Sequence, residues 1–277
     1  MEDKMNSADD KIRQPEVSDV KVRQTEIPGK RAAGKESKNE KSRQAGISGK
    51  RAAKNGTKKE TKKERNARVG RILELLDGEY GLELRCALIH ETGWQLLFST
   101  ILSAQCTDKR VNIVTETLYR KYPSIEAFAN ADFDELKEDI RSIGFYQAKA
   151  RNLIKCANQL MYEFGGEVPS EIEELTKLAG VGRKTANVIR GNIYNIPSIV
   201  VDTHVKRISR LLGLTDTDDP EKAEYELMEI LPEDHWILWN IDIITLGRNI
   251  CVAGRPRCSE CFLKEECPHY NERIQKL

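Results

Sequence analysis

Two glycines one residue apart, Gly180 and Gly182, stand between two apolar patterns of helical period, and no other stretch constrains the fold as much. Upstream, Ile172, Leu175 and Leu178 fall on one face, and Ser170 and Glu173 have capping-box spacing, which predicts a short helix beginning there. Glycine tolerates the positive φ angles of a tight turn, so Gly180 and Gly182 predict a hairpin. From about Arg183 onward, Ala186, Ile189 and Ile193 recur at helical spacing. Helix, two-glycine hairpin, helix is the expected unit, although a plain corner between helices uses the same glycines. The stretch is not a phosphate-binding P-loop, which needs glycine where Lys177 stands and lysine where Arg183 stands.

The chemistry expected of such a unit follows from its backbone. Free amides around Gly180, Val181 and Gly182 and in the first turn of the second helix make an anion site suited to a DNA phosphate. Lys184 falls in that turn beside Arg183, where the helix dipole and a neighbouring like charge both disfavour its protonated form. A neutral lysine is a nucleophile, and the plainer role is a phosphate counter-ion. Further on, Val201-Asp202-Thr203-His204 supplies a carboxylate that is at the least a helix N-cap.

Gly180-Val181-Gly182-Arg183-Lys184-Thr185-Ala186, then Pro197, then Val201-Asp202-Thr203-His204, resembles the helix-hairpin-helix DNA glycosylase superfamily. Within it, residues from about Glu64 to about His269 are most similar to the endonuclease III family. The resemblance implies that Lys184 attacks C1′ of a damaged nucleotide and that Asp202 assists. It further implies one continuous helical domain, residues 86–198. A second domain joins 66–85 to 199–277, with Lys184 and Asp202 facing each other across the cleft between them. One departure is visible: the family usually has proline where this chain has Ala179.

A net charge of +1 conceals a strong asymmetry. Residues 1–68 carry 20 Lys and Arg against 11 Asp and Glu, a net of +9, which leaves −8 for residues 69–277. A near-neutral total therefore does not exclude a nucleic-acid partner. Residues 1–65 are poor in large apolar side chains and are expected to be a disordered basic tail. Lys21-Val22-Arg23-Gln24 with Gly29-Lys30-Arg31-Ala32-Ala33 recurs twenty residues on as Lys41-Ser42-Arg43-Gln44 with Gly49-Lys50-Arg51-Ala52-Ala53. Such an arm can follow a phosphate backbone, or be no more than a solvated tail. No apolar run approaches the ~20 residues of a membrane span, and Met1 is followed by polar residues. A cytoplasmic monomer is expected, with nuclear residence open, and seven cysteines in a reducing compartment would be free or metal-bound.

The rest of the chain reads as helix after helix. Val69, Ile72, Leu73, Leu76 and Tyr80 make one apolar face; Trp94 to Ala104 is nearly all apolar; Val111, Val114 and Leu118 follow a Thr107-Asp108 cap. Asp132 caps Leu136 and Ile140, Leu153 to Phe164 makes another face, and Asp219-Pro220 and Trp236 begin the last two. No stretch alternates as a strand does, so the class is all-α.

Cys251, Cys258, Cys261 and Cys267 are separated by six, two and five residues. Four thiolates so gathered bind either zinc or an iron–sulfur cluster, and the spacing alone does not choose. The resemblance does: it implies a [4Fe–4S] cluster, shaping a loop whose Arg255 and Arg257 reach phosphates. Cys86, Cys106 and Cys156 lie on apolar faces and are expected in the core.

An enzyme that works on a base in a duplex must extrude the nucleotide and fill the space it leaves. Gln105 follows the buried helix and is either a simple helix end or, as the resemblance implies, the side chain that enters that space; Phe145 would wedge the opposite strand. The expected function is a bifunctional glycosylase and abasic-site lyase, acting on double-stranded DNA with oxidised pyrimidines or abasic sites. The rival adenine-specific type in the superfamily needs a glutamate before the glutamine loop, and residues 92–107 contain no carboxylate. A non-catalytic DNA clamp is the rival from another class.

Overall fold

The computed structural model describes residues 60–84 and 86–274. The repeats of the basic arm lie outside them. Chain entry into the first helix is fixed by Thr61, whose side chain accepts the Glu64 N–H while Glu64 caps Thr61 in return, so α1 (Lys62–Tyr80) begins ahead of the expected boundary at 65. Val69, Ile72, Leu73 and Leu76 form its buried face, and Gly81 ends it at φ 77°.

Threonine caps also start α2 (Gly93–Ser103) and α3 (Asp108–Lys121), and Ser124 starts the short α4 (Ile125–Ala129). Asp132 caps α5 (Phe133–Asp139); α6 (Tyr146–Glu163), α7 (Ile172–Leu175) and α8 (Arg183–Tyr194) complete the first half. The expected Ser170–Glu173 box does not form. Ser170 Oγ donates to the neighbouring Glu171 carboxylate instead, and α7 is a single turn that still buries Leu175. After an extended stretch come α9 (Thr203–Leu211), α10 (Pro220–Met228), α11 (Trp236–Asn249) and α12 (Pro268–Ile274). Among the described residues there is no strand, and the fold is all-α. None of the described helices is long and apolar enough to cross a membrane.

The buried apolar residues fall into two cores. One runs from Leu88 to Ile189 around α2, α3 and α6, with Trp94, Phe98, Tyr119 and Phe128 meeting edge to face at 4.9–6.2 Å. The other joins Val69, Ile72, Leu73 and Leu76 of α1 to residues from Ile199 to Leu263 around α9 and α11, with Trp239 at its centre. A chain that leaves one core, builds another and returns brings α8 and α11 close to each other, and a cleft opens between them.

Candidate active site and nucleic-acid interface

The hairpin uses its two glycines differently. Gly180 sits at φ 79°, where a Cβ would come within 3.0 Å of Asn152, so both conformation and space require glycine. Gly182 is extended at φ −100°, ψ 176°, and a Cβ there would meet nothing within 4 Å. The expectation of positive φ at both therefore holds only for Gly180. Gly182 is the N-cap of α8 and offers no side chain to cap it, which leaves the first-turn amides of that helix open to an anion. Val181 is buried in the first core and its N–H donates to Leu178 O at 3.1 Å, so it is not one of the free amides. Where relatives usually have proline, Ala179 N–H donates to Gln159 Oε1 at 2.8 Å, a bond proline lacks the hydrogen to make.

Arg183 is not a free cation. Its guanidinium grips the Glu224 carboxylate with two bonds of 2.8 and 2.9 Å, donates to the Tyr225 hydroxyl at 3.0 Å and stacks on that ring at 5.2 Å. Glu224 is 4 % exposed and lies on α10, so the pair ties the hairpin to an element of the second half. The hydrogen bond to Glu224 raises the Arg183 pKa. The Glu224 carboxylate offsets the like charge that the sequence places beside Lys184.

Lys184 is exposed and lines a cleft of about 300 Å³ with Thr100, Ser103, Asp108, Asn192, Asn240 and Arg248. Its amine has no hydrogen-bond or ion-pair partner among the described residues. Asp108 and Arg248 pair at 2.9 Å across the cleft, α3 to α11. Asp202 is half-buried and accepts the Val205 N–H on Oδ1 at 2.8 Å as the N-cap of α9; it does not pair directly with Lys184. Cys86, expected in the core, is exposed and lines the same cleft, and Cys106 is half-buried beside Gln105; only Cys156 is fully buried. Burial still pushes the Cys86 thiol pKa up.

Gln105 and Phe145 come together. Both are exposed, Phe145 at 66 %, and both take left-handed backbone angles, φ 53° and 57°. A Cβ on Gly144 would lie 3.6 Å from Gln105 O, so the two loops touch.

The four clustered cysteines line one cavity between α9, the end of α11 and the following loop. Arg207 donates to Cys251 Sγ at 3.5 Å and to Cys251 O at 2.6 Å. No three His, Cys, Asp or Glu side chains among the described residues converge tightly enough to hold a single metal ion. In the loop, Arg255 is exposed to solvent, whereas Arg257 is spent on Glu260 at 3.1 Å and on Asn249 O.

Comparison with known proteins decides the family. Residues 98–233 match the profile of the HhH-GPD superfamily base excision DNA repair proteins. Endonuclease III of Synechocystis sp. is 47 % identical over 184 residues, 66 % of this chain and 84 % of that protein. The chain belongs to the endonuclease III family. A non-covalent endonuclease III–DNA complex superposes with a TM-score of 0.71 at 39 % identity, covering 76 % of this chain and 98 % of the other. A trapped endonuclease III–DNA covalent intermediate, an estranged-adenine complex, gives 0.69 at 40 % identity over 74 % and 98 %. Membership makes the chain a DNA glycosylase of base excision repair.

Proposed function

We propose that this glycosylase is bifunctional and that Lys184 is its nucleophile. The observation that carries the reading is an unpartnered amine in the cleft between two cores, at the N-terminus of α8, whose first-turn amides are open to a phosphate. The Lys184 Nζ lone pair attacks C1′ of an extruded oxidised pyrimidine nucleotide. The new N–C1′ bond forms as the glycosidic C1′–N bond breaks, and the base departs with its electron pair and takes up a proton. The sugar opens to an iminium, a C2′ proton is removed, and the 3′ phosphate leaves by β-elimination. Asp202 keeps Oδ2 free after capping α9, and that oxygen stabilises the positive charge developing at the sugar. A family member trapped covalently on DNA supports this route.

Around that centre, the amides of Gly180, Gly182 and the α8 first turn receive phosphate, and Arg255 reaches another. Gln105 and Phe145 are the side chains that fill the vacated space and wedge the opposite strand. The two cores are the two domains, 86–198 and 66–85 with 199–277. Cys251, Cys258, Cys261 and Cys267 hold a [4Fe–4S] cluster: four thiols line one cavity, the all-cysteine donor set that such a cluster takes. When bound, the cluster supplies thiolate-ligated iron that shapes the Val252 to Arg257 loop, and no step of the base chemistry passes through it.

A duplex with a single oxidised pyrimidine separates the readings. Base release with strand scission 3′ to the site identifies the bifunctional enzyme; base release without scission refutes the proposal, and binding with neither identifies a clamp. Equal amounts of iron and acid-labile sulfide in anaerobically purified protein test the cluster, and zinc in their place refutes it.

A further inference from the structure

Lys149 is 5 % exposed, and among the described residues no carboxylate lies within ion-pair distance of it. Burying a lone ammonium is unfavourable. Its Nζ donates to Leu102 O at 2.8 Å and to Ala104 O at 2.6 Å. These are carbonyls at the end of α2, where backbone acceptors lack helical partners and the helix dipole favours a cation. Ala104 is followed at once by Gln105 in its left-handed conformation. The Lys149 side chain thus holds the backbone from which Gln105 projects. L-residues with a Cβ stay in such conformations only where their surroundings over-determine them.

We infer that Lys149 is a positioning residue that presets Gln105 for entry into the duplex, through its side-chain bonds to the α2 carbonyls. The inference rests on the reading of Gln105 as the side chain that enters the vacated space. Lys149 touches no substrate; its effect is confined to the step in which the nucleotide leaves the stack. Burial lowers its pKa, in keeping with a charge held by carbonyls and no counter-ion.

The test compares Lys149→Met, which keeps the stem and removes the donors, with Gln105→Ala and the double variant. Two substrates are used: an oxidised pyrimidine paired in a duplex, and an abasic site inside an unpaired bubble, which needs no extrusion. 2-Aminopurine beside the lesion reports extrusion directly. Lys149→Met is expected to slow base release from the duplex about tenfold or more, in kcat and with the fluorescence rise delayed, and to leave scission of the bubble within about twofold. The double variant is expected to be no slower than Gln105→Ala alone. Equal losses on both substrates, or additive losses in the double variant, overturn the inference and make Lys149 a structural residue. If Gln105→Ala is itself harmless on the duplex, the reading of Gln105 fails first. If it is slow while Lys149→Met is normal, only the role of Lys149 fails. Should Lys149→Met not fold, Lys149→Arg keeps the charge and shifts the donors, and a duplex-only loss is again expected.

Discussion

Replacing Glu224 by glutamine and Arg183 by methionine tests how the hairpin is anchored. The Arg183–Glu224 contact comprises two charge-assisted bonds of 2.8 and 2.9 Å to a carboxylate whose side chain is 5 % exposed, while the arginine side chain is 33 % exposed. The two ends are therefore unequal. In Glu224→Gln the guanidinium keeps Glu221 at 3.6 Å and is still reached by water, and a loss of about 2 kcal/mol is expected, the value of a charged hydrogen bond. In Arg183→Met the carboxylate is left buried without a partner, and the loss rises to about 3–5 kcal/mol. A cycle closed with Arg183→Met/Glu224→Gln, which removes both charges, should recover about 2 kcal/mol relative to the sum of the single losses. Urea unfolding of the full chain, followed by far-UV circular dichroism with unchanged m values, measures all three. Additive losses, or a smaller loss at the arginine than at the glutamate, refute the reasoning.

Gly180→Ala, forced to φ 79° with its Cβ 3.0 Å from Asn152, should lose about 1–2 kcal/mol or more of stability. Gly182→Ala should lose under about 0.5 kcal/mol and still weaken DNA binding, since it alters only the approach of a phosphate; titration of both variants with DNA and urea separates them. Burial opposes protonation of His235, but its bonds to Asp234 and Asp77 outweigh that and raise its pKa. Its stabilising charge is therefore present below the ordinary imidazole value of about 6.5 and fades as pH rises through the raised one, so His235→Gln should cost up to about 1 kcal/mol at about pH 5 and nothing at about pH 9. Arg255→Ala should lower the slope of log K against log salt by about 1, whereas Arg257→Ala, already bound to Glu260 and Asn249 O, should leave it unchanged.

The helices were legible wherever an apolar stripe ran long enough to show its period: α1, α2, α3, α6 and α11 carry it over three turns or more. Caps were legible where one side chain meets its own backbone, as at Thr107, Asp132 and Asp219. The five residues of α4 are too few to show a period, and the Ser170 box failed because a carboxylate one residue away took the hydroxyl. What the sequence hides is partnership over distance. Arg183 looks like a phosphate ligand until Glu224, far along the chain, is folded against it. Lys149 looks like any polar face residue until α2 ends beside it. Cys86 looks like core because its neighbours are apolar, yet the cleft opens where it stands. The hairpin and the start of α8 were legible because a glycine turn and a helix start are local features.

Borohydride reduction during turnover on a duplex carrying an oxidised pyrimidine, followed by peptide mass spectrometry, tests the central claim most directly. One stable protein–DNA adduct is expected, its mass shift confined to Lys184 and absent in Lys184→Gln. An adduct mapped to another lysine, or full base release by Lys184→Gln, would contradict it.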